Sequence, residues 1–379
     1  LRTSGYNVVA LPVFTPTADY AFHTASLVKE VLPHSKVVLG GIHVTSLPEL
    51  SMEQCPNCDF IIRHEGEFTF DELLVAIADG NREWSEIPGL VWRRPDGSVI
   101  VNAQRPFIGQ LDNLPTGFYA DLDLQRYVPH ATQYVRLPNY PVMTQRGCPY
   151  QCSYCEASTV LGKKTRFFSP ARIIEELKVL KYEKGARGFY FQDSTFTIKR
   201  AWTMELMELL AREDLGLLWC CNTRADRVDP ELLDAMYQAG CRQIALGIES
   251  GNQESLDLVR KGTTVEKQTQ GVQWVRKAGL RYALSYILCL PGETEEMVQN
   301  TLNYAKSLGG HIAMFYLPVP YPGSQLYQTC KEMGGLRRDV NWSDFISIDF
   351  DDPVYVNPNF GIEGMRHWYK HAYKNLGLS

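Results

Sequence analysis

Arg146-Gly147-Cys148-Pro149-Tyr150-Gln151-Cys152-Ser153-Tyr154-Cys155 sets three cysteines at the spacing CxxxCxxC, directly after a short apolar run, Pro141 to Thr144. Thiolates are soft donors suited to an iron–sulfur cluster or to zinc. Ligands that recur every three or four residues let one short loop wrap a single centre. Three thiolates serve a four-iron cluster and leave one iron without a protein ligand, which is a place to bind a small molecule. A closed structural zinc site wants a fourth ligand, usually from a second pair. The alternatives are therefore a zinc knuckle drawing on Cys55 or Cys58, or three unrelated buried thiols.

Outward from this run, apolar stretches alternate with helical patterns. Strands are expected at 141–144, 188–192, 217–222, 243–247, 282–288 and 312–317, each short, apolar and bounded by turn residues. Helices are expected at 170–184, 202–212, 230–239, 266–278 and 294–308, with Ser169-Pro170, Asp229-Pro230 and Thr294-Glu295-Glu296 as starts by cap and first-turn chemistry. Six such units predict a partial (βα)6 TIM-type barrel over 141–320, with its site at the carboxyl ends of the strands. Ahead of it, 8–13, 37–39 and 60–62 read as parallel strands of a shortened Rossmann-like domain over 1–80, in an α/β chain throughout. Residues 81–140 read as a hairpin about Pro95-Asp96-Gly97 plus a linker, and 321–379 as a C-terminal extension ending in a helix near Ile362–Leu376.

Composition narrows the function. The 379 residues are 45% hydrophobic and 21% charged with a formal charge of -5, a soluble globular balance. That balance gives no basic footprint for nucleic acid. No run approaches the roughly 18 apolar residues of a membrane helix, and no signal peptide is evident. Ten cysteines are too few for a disulfide scaffold in a chain of 379 residues, which points to a reducing, cytoplasmic setting.

The segment from Arg146 to Cys155 resembles the signature of the radical S-adenosylmethionine (SAM) superfamily, with Tyr154 as its usual aromatic, and the resemblance extends over 141–320. It implies that Cys148, Cys152 and Cys155 hold a [4Fe-4S] cluster. The unique iron is then chelated by the amino and carboxylate groups of SAM, and an electron from a donor such as flavodoxin or ferredoxin cleaves the sulfonium. Phe191-Gln192-Asp193-Ser194-Thr195 resembles the segment that receives the methionine amino group, although the family's Gly-Gly-Glu form is absent. Asn222 and Arg224 stand where the family often places groups for the methionine carboxylate, a task that suits a guanidinium fork. Glu249 and Ser250 match the ribose segment, Pro291 the segment near the adenine, and Pro320 to Ser324 the turn after the sixth strand. From the residues alone, Arg224 could equally pair with Asp226 or Asp229, and Glu249 could cap a helix. No catalytic residue is assigned.

Val37 to Thr45 followed by Asp59 to Glu67 resembles the cobalamin-binding domain found before many such barrels, and Leu111 to Pro115 resembles its linker. The resemblance implies that Gly40, Gly41, Glu65 and Gly66 line the corrinoid or its nucleotide tail. Only about three of that domain's five strands fit before residue 75, and Leu1 to Tyr6 resembles the end of its first helix. Two readings stay open: residues are absent from this sequence, before Leu1 or within it, or the domain is degenerate. His43 and His64 read as structural or solvated, and Cys55 and Cys58 as an incidental pair. Adjacent Cys220 and Cys221 should face opposite sides of a strand. Trp219, Phe315, Tyr316 and Tyr321 are candidate cavity aromatics.

The expected reaction is transfer of a SAM-derived methyl group, through cobalamin, to a small molecule or natural product. The alternatives are transfer of the 3-amino-3-carboxypropyl group, hydrogen abstraction by a deoxyadenosyl radical without cobalamin, or a non-catalytic iron–sulfur or zinc protein.

Overall fold

Three apolar runs become the parallel strands β1 (Val8–Pro12), β2 (Lys36–Gly40) and β3 (Phe60–Ile62) of the first sheet. The computed structural model describes residues 5–80, 83–115, 126–127, 129–337, 340–346 and 351–375. The helix end expected at Leu1 to Tyr6 therefore falls mostly outside the described residues. α1 (Ala18–Val31), the short α2 (Ile42–Ser46) and α3 (Pro48–Gln54), and α4 (Glu67–Ala78) complete the layers of this part. α1 buries Ala18, Ala21, Phe22, Ala25 and Val28, the i, i+3, i+4, i+7 stripe of an amphipathic helix.

The hairpin differs from its expected place. β4 (Leu90–Arg93) and β5 (Val99–Val101) do not stand between domains; they extend the first sheet, giving the order β1-β2-β3-β4-β5. β4 pairs antiparallel with β3, Phe60 opposite Trp92 and Ile62 opposite Leu90. The physical reason is an open edge: β3 is fully buried, and its unpaired backbone groups need partners. The sheet thus has five strands, three parallel and two borrowed from the segment after residue 80.

The chain continues through β6 (Asn139–Val142), β7 (Gln145–Arg146), α5 (Ala157–Leu161) and β8 (Arg166–Phe167). α6 (Pro170–Tyr182), β9 (Gly188–Phe191), α7 (Arg200–Glu213), β10 (Leu218–Arg224), α8 (Pro230–Gln238) and β11 (Cys241–Glu249) follow. Next come α9 (Gln253–Leu258), α10 (Val265–Lys277), β12 (Arg281–Ile287), α11 (Glu295–Leu308) and β13 (Ile312–Tyr316). The chain closes with α12 (Gln325–Glu332) and α13 (Gly361–Asn375). The second sheet has the order β13-β12-β11-β10-β9-β6, parallel throughout. β6 and β13 remain as edges, so the six strands make a partial barrel. The expected caps are present: Ser169, Asp229 and Thr294 accept from the N–H of Arg172, Leu232 and Met297. Among the described residues, no helix is long and apolar enough to cross a membrane.

Two compact units result: Leu1–Ile108 with Ser153–Gly162 and Val319–Val356, and Gly109–Cys152 with Lys163–Pro318 and Asn357–Ser379. The expected extension 321–379 is thus shared: its first part, with α12, counts with the first unit, and α13 with the second. The outer face of the second sheet is set by aromatics. Trp219 packs with Phe189, Phe191 and Phe196 and donates its indole N–H to the Ala239 carbonyl, 2.7 Å, at the end of α8. Phe315 packs against Tyr373 of α13. Both therefore face the helices rather than the barrel cavity, which corrects their expected place. Strand alternation then turns Cys220, Asn222 and Arg224 inward, and Cys221 outward beside Cys241.

Candidate functional site

Two neighbouring carbonyl-end segments prepare the cysteine loop. Asp193, just past β9, is buried and accepts from Thr144 N–H at 2.9 Å, Thr144 hydroxyl at 2.6 Å and Gln145 N–H at 3.1 Å. It thereby ties the end of β9 to the turn between β6 and β7, from which the cysteine loop departs. Its side chain is committed to this brace; Ser194 beside it is exposed. Burial pushes the Asp193 carboxyl from 3.8 up to about 7, against the pull of its three donors. A carboxyl whose pKa is raised by folding stabilises fully below its unfolded value, and that contribution is lost as pH rises through the folded value. The thermal midpoint should therefore fall between about pH 4 and pH 7, and Asp193→Asn should flatten the slope by up to about 1.4 kcal/mol per pH unit. Differential scanning calorimetry across that range checks this; an unchanged slope would mean Asp193 is ionised throughout.

In the loop itself Cys148 is buried, Cys152 half-buried and Cys155 exposed, and none of the ten cysteines forms a disulfide. Burial pushes the Cys148 thiol up, while the cations Arg224 and Lys261 favour its thiolate. Among the described residues, no three His, Cys, Asp or Glu side chains stand gathered around one point as a metal site. The donor set nonetheless fits an iron–sulfur cluster: three soft thiol ligands on one loop, one of them, Cys148, near the cations Arg224 and Lys261 that offset an anionic centre. The zinc-knuckle alternative loses its fourth ligand. Cys55 and Cys58 are buried in the apolar core of the first sheet, and the Cys58 thiol donates to the Phe60 carbonyl at 3.1 Å.

The remaining carboxyl ends present mixed chemistry. Asn222, half-buried, donates its amide to the Tyr190 hydroxyl. Arg224 meets Asp226 through two bonds, 2.9 and 3.1 Å, so the Asp226 pairing foreseen as an alternative is the one present. Glu249 ends β11 at φ 68 and is held by Lys261 Nζ at 2.6 Å, both side chains buried. Ser250 shares its hydroxyl with Thr301 at 3.0 Å and accepts from the Asn252 N–H at 3.2 Å. Buried Pro291 lies in the turn after β12, where Glu293 accepts from Leu290 N–H at 2.9 Å and Ser255 hydroxyl at 2.6 Å. Tyr154 is half-buried in the cysteine loop. Lys261 carries no recognisable motif in the sequence. Its only signal was a Lys-Gly pair behind a short helix, and nothing local says that its ammonium turns inward.

In the first unit, Gly41 follows β2 at φ 111, and a Cβ there would sit 2.7 Å from the Val13 carbonyl oxygen. Only glycine suits that backbone. A Cβ on Gly40 would find its nearest atom 4.0 Å away, so its face is open. Glu65 is buried and accepts from Ile108 N–H at 2.7 Å, and Gly66 begins α4. Backbone bare of side chains at the carboxyl ends of parallel strands, with a helix N-terminus beside it, fits a large cofactor laid across the sheet edge. His43 is buried under Trp342, ring centroids 4.6 Å apart, with Nδ1 3.3 Å from the Thr15 hydroxyl, which accords with its structural reading. The His64 ring lies 3.3 Å from the Val160 carbonyl and edge-on to Phe107.

Comparison with known proteins agrees with this geometry. Residues 142–305 match the model of the radical SAM superfamily, and residues 1–74 that of the B12 binding domain. An uncharacterized methyltransferase of Pyrococcus horikoshii is 33% identical over 372 residues, covering 98% of this chain and 79% of its own. The anaerobic magnesium-protoporphyrin IX monomethyl ester cyclase of Rubrivivax gelatinosus is 30% identical over 353 residues, covering 92% of this chain and 61% of its own. Among solved structures, the radical SAM methyltransferase TsrM of Kitasatospora setae, with cobalamin and a [4Fe-4S] cluster bound, superposes with a TM-score of 0.75 at 19% identity. That match covers 97% of this chain and 79% of TsrM. The same protein is known with tryptophan as substrate and a SAM analogue bound. The chain is therefore a member of the radical SAM superfamily, in its cobalamin-dependent methyltransferase class.

Proposed function

We propose that this enzyme transfers a SAM-derived methyl group to a small molecule, with Cys148, Cys152 and Cys155 holding the [4Fe-4S] cluster and the first unit holding cobalamin. The observation that carries this is that one chain holds both a three-thiol loop following the first strand of a six-strand parallel sheet and a separate sheet with glycines at the carboxyl end of a parallel strand. The cluster supplies an electron for cleavage of the sulfonium, and cobalamin the means of passing a methyl group; the chemistry is the cofactors' own. The chain's residues bind and orient. Ser194 and Asn222 offer polar groups to SAM, the buried Ser250 hydroxyl braces the segment after β11, and the turn at Pro291 takes the adenine. Asp193 and Arg224 stand behind these as braces, and the buried Lys261–Glu249 pair holds the end of β11. Gly40 leaves an open face for the corrinoid, Gly41 and Gly66 let the backbone turn tightly beside it, and Glu65 fixes the segment around it.

TsrM is known with the small molecule tryptophan, and the cyclase is named for a porphyrin ester. A small organic substrate is the reading they support. Reconstitution tests the front unit. One cobalamin per chain should be retained through gel filtration, and Gly41→Val should abolish retention, because the added side chain meets the Val13 backbone. Retention of no cobalamin by the wild type would remove methyl transfer and leave hydrogen abstraction or aminocarboxypropyl transfer.

A further inference from the structure

Arg224 does more than end a strand. Its Cζ lies 3.9 Å from the centroid of the Tyr150 ring, and Arg227 lies 5.5 Å from the same ring on that segment. Tyr150 sits between Cys148 and Cys152, inside the cysteine loop. Arg224 is 4% exposed, so its guanidinium has little water to trade this partner for. Asp226 fixes its plane by the two-bond fork at 2.9 and 3.1 Å, with side-chain exposures of only 5% and 10%. The backbone beneath is fixed in turn: a Cβ on Gly271 of α10 would lie 1.9 Å from the Ala225 carbonyl oxygen, so the helix rests directly on the turn that carries Asp226. A chain of contacts thus runs from α10 through Ala225 and Asp226 to Arg224, and from Arg224 to the ring between two of the cysteines.

We infer that Arg224 and Tyr150 form a cation–π clamp that positions the cysteine loop and retains the cluster, so that Arg224 is a positioning residue rather than the ligand of the SAM carboxylate. This rests on the assignment of Cys148, Cys152 and Cys155 as cluster ligands. The fork toward Asp226 already takes the side-on edge of the guanidinium, Nε and Nη2, and half-neutralises its charge, while its face is spent on the Tyr150 ring. A desolvated cation–π contact is worth about 2 kcal/mol, which at 1.36 kcal/mol per decade is about thirtyfold in a rate or equilibrium.

The test is chelator-driven iron release from anaerobic, reconstituted enzyme without SAM, followed by loss of cluster absorbance, together with SAM affinity by equilibrium dialysis. Tyr150→Leu and Arg224→Gln should each speed iron release about thirtyfold. The double variant should be no faster than either single one, as for two partners of one contact. Tyr150→Phe keeps the ring and should behave as wild type, which separates the cation–π contact from loss of folding. Additive effects, or unchanged iron release with weakened SAM binding in Arg224→Gln, would overturn the clamp and return Arg224 to the carboxylate. A wild type that holds no cluster at all would overturn the ligand assignment itself, and the clamp with it.

Discussion

Replacing Cys148, Cys152 and Cys155 together by Ala should take the anaerobically reconstituted protein from about four irons per chain to none and reduce SAM cleavage to background. The reason is the absence of any substitute. The other seven cysteines are buried in strands, cores or turns, and burial raises the thiols of Cys55, Cys220, Cys289 and Cys330 away from the thiolate form that binds metal. The fold should survive, because the loop adds little to either apolar core and Cys155 is exposed. Iron and sulfide assays beside far-ultraviolet circular dichroism check both halves of this expectation. Four irons retained on the triple variant would place the cluster elsewhere.

Gly271→Ala should be the most damaging single methyl group in the barrel. Its Cβ would fall 1.9 Å from the Ala225 carbonyl oxygen, 2.7 Å from the carbonyl carbon and 3.2 Å from Cα, all backbone atoms that no rotamer change can move. Either α10 lifts from the turn after β10 or that turn shifts, and overpacking of this kind costs about 3 kcal/mol or more. The thermal midpoint should drop by about 4 °C for a chain of 379 residues that melts as one unit. Because the turn carries Asp226, the damage should spread to Arg224 and Tyr150, so iron release should quicken even at temperatures where the variant is folded. A midpoint within about 1 °C of wild type would show that α10 and the turn are not in rigid contact.

Much of this was legible in the chain. The CxxxCxxC spacing is local, and so are the caps at Ser169, Asp229 and Thr294, because a cap needs only its own first turn. The six parallel strands were visible as short apolar runs between helical periods. What stayed hidden depends on contacts distant in sequence. The hairpin was readable, but nothing local says that Trp92 pairs opposite Phe60. Strands covered on both faces carry apolar residues on both, so parity alone could not send Trp219 and Phe315 outward. Asp193 resembled a ligand by position and proved to be held by Thr144 and Gln145, 49 and 48 residues earlier. Lys261 and the Arg224–Tyr150 contact likewise exist only once the barrel has brought separate loops together.

The central claim is cobalamin-dependent methyl transfer, and the products of SAM turnover test it most directly. Anaerobic, reduced, reconstituted enzyme is incubated with SAM, with and without cobalamin, and the nucleosides are resolved by liquid chromatography and mass spectrometry. The expected result is S-adenosylhomocysteine formed only when cobalamin is present, accompanied by 5'-deoxyadenosine once a substrate is supplied. Methylthioadenosine as the main product, or 5'-deoxyadenosine alone and indifferent to cobalamin, would contradict it.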